Sequence, residues 1–205
     1  MLRREQLGLL TTDDSRPLFV WEPVPDLCQP SELQACYEAC KHVDIVSPNH
    51  AELCGFFSEE PHDHNGNIAS HTIEKCCKAV LAASKGKATH LKAVIVRAGK
   101  EGCVVATTNT TAWLPAYHQQ ASRVIDATGG GNTFLGGFTI SLARAGKFGL
   151  KDIREAVIDG AVSASFAIEQ VGMPDLTIHG DLTESWNGDS VQARVAELSQ
   201  RTPDV

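Results

Sequence analysis

The sequence predicts an α/β protein in which a mostly parallel sheet lies between helical layers. Three observations lead there. Short, mostly apolar strand-like runs at residues 18–21, 43–46 and 91–96 alternate with longer stretches of helical period. Those runs are apolar on both faces, as strands covered above and below by helices must be. The chain has 205 residues, 42% hydrophobic and 21% charged, which suits a single domain with a real core.

Each element can be justified in order. The run 18–21 stops at Glu22-Pro23-Val24-Pro25, a buried strand entering a loop. Ser31 and Gln34 have capping-box spacing, and Leu33, Cys36, Tyr37 and Cys40 then recur with helical period. Residues 43–46 form a second strand and 49–57 a short helix. The polar segment 58–67, with His62, His64 and Gly66, reads as an exposed loop. Residues 68–84 form a helix with Ile73, Cys77, Val80 and Leu81 on one face and Gly86 near its end. A strongly apolar strand at 91–96 is followed by a tight turn, Gly99 to Gly102, into a strand at 103–106. Residues 107–120 are irregular or hold a short strand, with His118 in a surface connection. A strand at 122–125 leads to a helix from Asn132 that closes at Gly146, a C-cap glycine. An alanine-rich helix spans 152–170, and an amphipathic one spans about 190–200 and ends before Pro203. There is no internal repeat, low-complexity tract or domain linker.

Composition excludes several functions. A net charge of −7 argues against a nucleic-acid surface or an anionic-membrane surface. No apolar run approaches the ~20 residues needed to cross a bilayer. Residues 1–6 are charged and lead into no signal-like segment, so the expected location is cytoplasmic. Seven scattered cysteines, with no C-x-x-C pair, fit neither a disulfide framework nor a zinc ribbon. Cys36 and Cys40 read as reduced core thiols. His62 and His64, near Glu59 and Glu60, bring together ligand types for a metal, but a polar loop with no further ligand makes a weak site.

The most informative stretch runs from residue 126 to residue 138, Asp-Ala-Thr-Gly-Gly-Gly-Asn-Thr-Phe-Leu-Gly-Gly-Phe. Three glycines at a strand-to-helix junction let backbone N–H groups converge on one point. The helix that follows adds its unpaired N–H groups and the positive end of its dipole. That arrangement can hold a phosphate. A dinucleotide finger and a P-loop are both excluded by spacing. Phe134 stands where the first would need its last glycine, and Gly137 where the second would need lysine. Two blander readings stay open. The motif could be only a tight junction, with Gly136 and Gly137 permitting close helix packing. Asn49 followed by Glu52 has the spacing of a capping box.

Residues 126–139 resemble the second signature of the pfkB carbohydrate kinases, the ribokinase-like family, whose usual form is D-T-x-G-A-G-D before a small-residue helix. Four further segments resemble that family in its order: Phe19-Val20-Trp21-Glu22-Pro23, the run 43–53 containing Pro48-Asn49 and Glu52, the run 94–103, and the alanine-rich helix at 161–172. Together they cover about residues 18–175. The resemblance implies a three-layer αβα ribokinase-like fold, built as one domain over 1–205 but without the family's N-terminal part. That part supplies the first strands, the lid and most acceptor contacts.

The implied reaction transfers the ATP γ-phosphoryl to a hydroxyl of a sugar or nucleoside. Gly129, Gly130 and Gly131 would form the anion hole, and Asn132 stands in the catalytic-base position, where the family has aspartate. Asn49 and Glu52 would hold magnesium through water, in addition to capping. Asp126 and Thr128 lie where some members bind a monovalent cation such as potassium. Gly99 and Gly102 would border the nucleotide, and Ala161 would line the adenine pocket. Arg97-Ala98 replaces the usual threonine–apolar pair, and an arginine there can pair with phosphate. An amide at 132 can orient a hydroxyl but cannot accept its proton, which implies weak or lost turnover. The alternative is a non-catalytic, nucleotide-binding pseudokinase.

Overall fold

The computed structural model describes residues 17–86, 89–146 and 148–202. The sequence readings for residues 1–6 and for Pro203 lie outside these. Five strands form one sheet in the order β1 (Val20–Trp21), β2 (Ile45–Val46), β3 (Ala93–Arg97), β4 (Cys103–Ala106), β5 (Thr111–Leu114). The pairs β1–β2 and β2–β3 are parallel, and an antiparallel meander, β3–β4–β5, extends the sheet. The parallel part carries the candidate site, because its three carboxyl ends open on one edge.

Strand alternation sorts the core into two layers. On one face Val46, Val94, Val96, Val104 and Ala106 pack against α1 (Leu33–Cys40), α2 (His50–Phe56) and α3 (Ser70–Ala83). On the other, Ile45, Ala93, Ile95, Cys103, Val105 and Leu114 meet α4 (Gly130–Ala145) and α5 (Leu150–Ala167). The three-layer αβα reading therefore holds. The thiols of Cys36, Cys40, Cys54, Cys76 and Cys77 are buried in the first layer, and all seven cysteines are free.

α4 and α5 lie unusually close because glycine faces them at two points. A Cβ at Gly160 would come 2.8 Å from the Phe134 carbonyl oxygen, and one at Gly137 would collide with Ser163. Close packing is thus the role of Gly137, while Gly136 faces open space. α4 ends at Gly146 with φ +63°, the left-handed C-cap its sequence announced.

Four elements differ from the sequence reading. Ser31 caps nothing: Pro30 starts a 3-10 turn, Pro30–Glu32, that runs into α1 and leaves no side-chain cap. The segment 122–125 is not a sheet strand. A turn, Ala121–Arg123, leads to an extended segment whose Ile125 and Asp126 amides both donate to the Ile168 carbonyl. His118 is buried, not in a surface connection, and lies 2.9 Å from Glu169. A hairpin of β6 (Leu176–Ile178) and β7 (Glu184–Trp186) precedes the last helix, α6 (Val191–Arg201).

α6 is held by a buried ionic cluster. Arg194 donates to Asp189 (2.8 Å) and Ser165 (2.9 Å), pairs with Glu169 (2.8 Å), and stacks 3.8 Å over the Phe166 ring. Asn187 donates to the Phe166 carbonyl and to Glu169, which ties the hairpin to the end of α5.

Candidate active site

The glycine motif opens α4. Gly129 is its N-cap at φ +81°, a left-handed conformation that a side chain would strain. The Gly129 carbonyl accepts from both the amide and the hydroxyl of Thr133 at 2.9 Å. The amide of Gly130 turns back to the Ala127 carbonyl at 3.2 Å. No side chain caps the helix, and the amides of Gly131 and Asn132 have no partner among the described residues. Two free donors and the helix dipole therefore remain at this end. The hole is narrower than three glycines suggest, since Gly130 is committed internally. Asn132 is exposed in the first turn beside those donors.

The carboxyl ends of β1, β2 and β3 converge on the same place, and Arg97 joins them. Its Nη2 bonds to Glu22 after β1 and, at 3.1 Å, to the Ser47 carbonyl after β2. It also lies 3.8 Å from Glu52 on α2. A Cβ at Gly131 would collide with Arg97 Nη1, so the guanidinium rests directly against the glycine motif. Its Nε is buried with no partner among the described residues.

Asn49 and Glu52 form a complete capping box. The Glu52 amide donates to Asn49 Oδ1 at 2.8 Å. The Asn49 amide and Nδ2 donate to the two carboxylate oxygens of Glu52 at 2.8 and 2.7 Å. His50, the first residue of α2, is bonded to the Arg97 carbonyl at 3.3 Å, and burial holds its imidazole below the usual value. Gly99 (φ +58°) and Gly102 (φ +85°) form the turn after β3, on the same edge as the glycine motif; a Cβ at Gly102 would strike the main chain at 114–116. Asp126 accepts the Thr128 amide at 2.9 Å, and that bond keeps its carboxyl below the ordinary range. Ala161 is half-buried on α5, packed between the second core layer and the cluster around Phe166 and Leu198.

One edge thus gathers Glu22, Asn49, Glu52, Arg97, Gly99 and Gly131. Among the described residues no cluster of three or more His, Cys, Asp or Glu forms a metal nest, and His62 and His64 lie in an exposed loop. A cavity of about 550 Å³ lies elsewhere, beside the hairpin, where His179 bonds Ser185 at 3.0 Å; it is lined by none of the residues the sequence picked out. Glu22 was missed as a site residue. Its sequence signal was its place at the end of a strand, before a proline, in a segment that resembles the family's own.

Residues 22–177 match the sequence model of the pfkB family carbohydrate kinases. The chain belongs to that family. An uncharacterized protein of Schizosaccharomyces pombe is 30% identical over 209 residues, covering 94% of this chain and 54% of the relative. The chain spans about half the length of the curated relatives it matches, 54% and 48% of two of them. Among solved structures, ribokinase from Giardia lamblia has a TM-score of 0.64 at 20% identity, covering 82% of this chain and 50% of the other. A fructokinase double mutant from Vibrio cholerae O395, with fructose, ADP and potassium ion bound, has a TM-score of 0.58 at 21% identity, covering 82% and 48%. At such identities these two establish the ribokinase-like α/β fold. No helix among the described residues is long and apolar enough to cross a membrane.

Proposed function

We propose that this pfkB-family chain is the nucleotide-binding portion of a phosphotransferase that moves the ATP γ-phosphoryl to a sugar or nucleoside hydroxyl, with turnover weakened at Asn132. The supporting observation is the uncapped start of α4, where the Gly131 and Asn132 amides remain free beside the carboxyl edge of the sheet. Those donors suit the terminal phosphate and would stabilise charge on it as the bond to the leaving oxygen lengthens. Gly99 faces open space and leaves room for a nucleotide at the turn after β3, Gly102 lets that turn pack on residues 114–116 and so sets the border of the site, and Ala161 offers a small side chain beside the base.

Asn132 orients the acceptor hydroxyl by hydrogen bonding and leaves its proton for solvent. Loss of general-base help costs about 10²–10⁴ in rate. Positioning and charge stabilisation survive, so residual transfer is expected. The second reading, a nucleotide-binding pseudokinase, is favoured by the same Asn132. Magnesium, when bound, supplies charge neutralisation on the phosphates, and the nucleotide's own oxygens can carry it. Potassium at Asp126 and Thr128 is a subsidiary proposal, carried by the family position alone. Six buried free thiols suit a reducing, cytoplasmic setting.

The test is ATP binding by calorimetry, followed by transfer to a panel of sugars and nucleosides, with the native chain and with Asn132→Asp. Binding with little turnover, raised at least tenfold by Asn132→Asp, is expected. A folded chain that binds no ATP removes the proposal. Equal, robust rates in both proteins remove the argument from the missing base.

A further inference from the structure

Among the described residues, Arg97 brings one unpartnered guanidinium nitrogen to the start of α4. Its guanidinium presses on Gly131, at the positive end of α4 and next to two free amides. Like charge against like charge costs energy. Glu22 balances the guanidinium from the opposite side, through Nη2, and Glu52 lies 3.8 Å from the same nitrogen. Nη1, on the α4 side, has no partner among the described residues, and Nε is buried without one. A phosphate oxygen between Nη1 and the Gly131 and Asn132 amides would satisfy those three donors together.

The same geometry argues against magnesium held through Asn49 and Glu52. Both Glu52 oxygens already accept from Asn49, at 2.8 and 2.7 Å, and the nearest charge to them is the Arg97 guanidinium. A divalent ion there would have to displace the Asn49 donors or the Arg97 guanidinium from a carboxylate already engaged in capping α2. The donor set does not fit the metal.

We propose that Arg97 is this chain's built-in counter-charge for the nucleotide's terminal phosphate, so that nucleotide binding needs no divalent ion. The inference rests on the nucleotide-binding reading above and assigns how charge is balanced there. Arg97 is a binding residue: its Nη1 meets a phosphate oxygen, while Glu22 and the Ser47 carbonyl hold the guanidinium in place through Nη2.

The test is calorimetric titration of the whole chain with ATP, once in excess EDTA and once in excess magnesium. Affinities within threefold of each other are expected. Arg97→Thr should lose at least tenfold in EDTA and recover most of it in magnesium, with a melting curve to show that it is folded. Should Arg97→Thr not fold, the unsubstituted chain still decides the matter. Native affinity that falls tenfold or more in EDTA and returns with magnesium overturns the role given to Arg97 while leaving the nucleotide site intact. A folded chain that binds ATP under neither condition overturns both.

Discussion

Replacing Gly160 by alanine tests whether the α4–α5 contact sets the fold's stability. Two effects oppose each other. Alanine favours a helix interior over glycine by about 1 kcal/mol. Against that, the new Cβ would sit 2.8 Å from the Phe134 carbonyl oxygen, 3.1 Å from Phe138 Cβ and 3.2 Å from Phe134 Cδ2. The first two belong to or adjoin the main chain of α4 and cannot swing aside, so the helices must part by several tenths of an ångström. Overpacking of this kind costs about 1–3 kcal/mol. The net loss should be about 0–2 kcal/mol, a fall in Tm of up to about 8 °C for a chain of this size. Gly136→Ala is the matched control. Gly136 is exposed with nothing within 4 Å of its Cβ position, so only the propensity gain remains and Tm should rise by about 2–4 °C. Thermal melts and denaturant midpoints at constant m-value measure both. If Gly160→Ala proves as stable as Gly136→Ala, the close approach of α4 and α5 is not what the glycine provides.

Two further outcomes follow from the cluster that holds α6. Arg194→Leu leaves Glu169 without its guanidinium, with only 12% of its side chain exposed, and should cost about 3–5 kcal/mol in denaturant unfolding; adding Glu169→Gln should restore part of that. Acid should unfold the protein in two steps. Burial holds the His118 imidazole low against the pull of Glu169, so its contribution is whole above the unfolded value of about 6.5 and is lost as pH falls below it. Burial opposes ionisation of Glu169, but bonds from Arg194 and Asn187 overcome it; the Arg194 bond likewise lowers Asp189. Both carboxylates contribute above their ordinary range and lose that contribution as pH falls through their lowered values. Urea midpoints from pH 8 to pH 3 would show both steps; His50, likewise held low by burial, shares the upper one, so His118→Gln should diminish the upper step and leave the lower one in place.

The fold was legible wherever burial wrote itself into the sequence as a period. Residues 93–96 are apolar at every position because both faces of β3 are covered, and Ile73, Cys77, Val80 and Leu81 fall on one side of α3 because only that side meets the sheet. The reading failed where a run was apolar but had no neighbour. Val124 and Ile125 look like a strand, yet both are exposed, and the Ile125 amide goes to a helix end. The hairpin escaped notice because Leu176 and Ile178 are exposed and its strands have three residues each. At the site, the glycines and the Asn49–Glu52 spacing were visible because they are local. The meeting of Glu22, Ser47, Glu52 and Gly131 around one guanidinium was not, since only the sheet brings those four together.

A single oxygen, on Ile168, receives the amides of both Ile125 and Asp126. The approach to the glycine loop therefore leans on no strand; its order is borrowed from the final turn of α5. Asn187 grips that same turn through the Phe166 carbonyl. A hairpin remote in sequence thus helps decide how stiffly the loop is mounted, and loosening the one would be felt at the other.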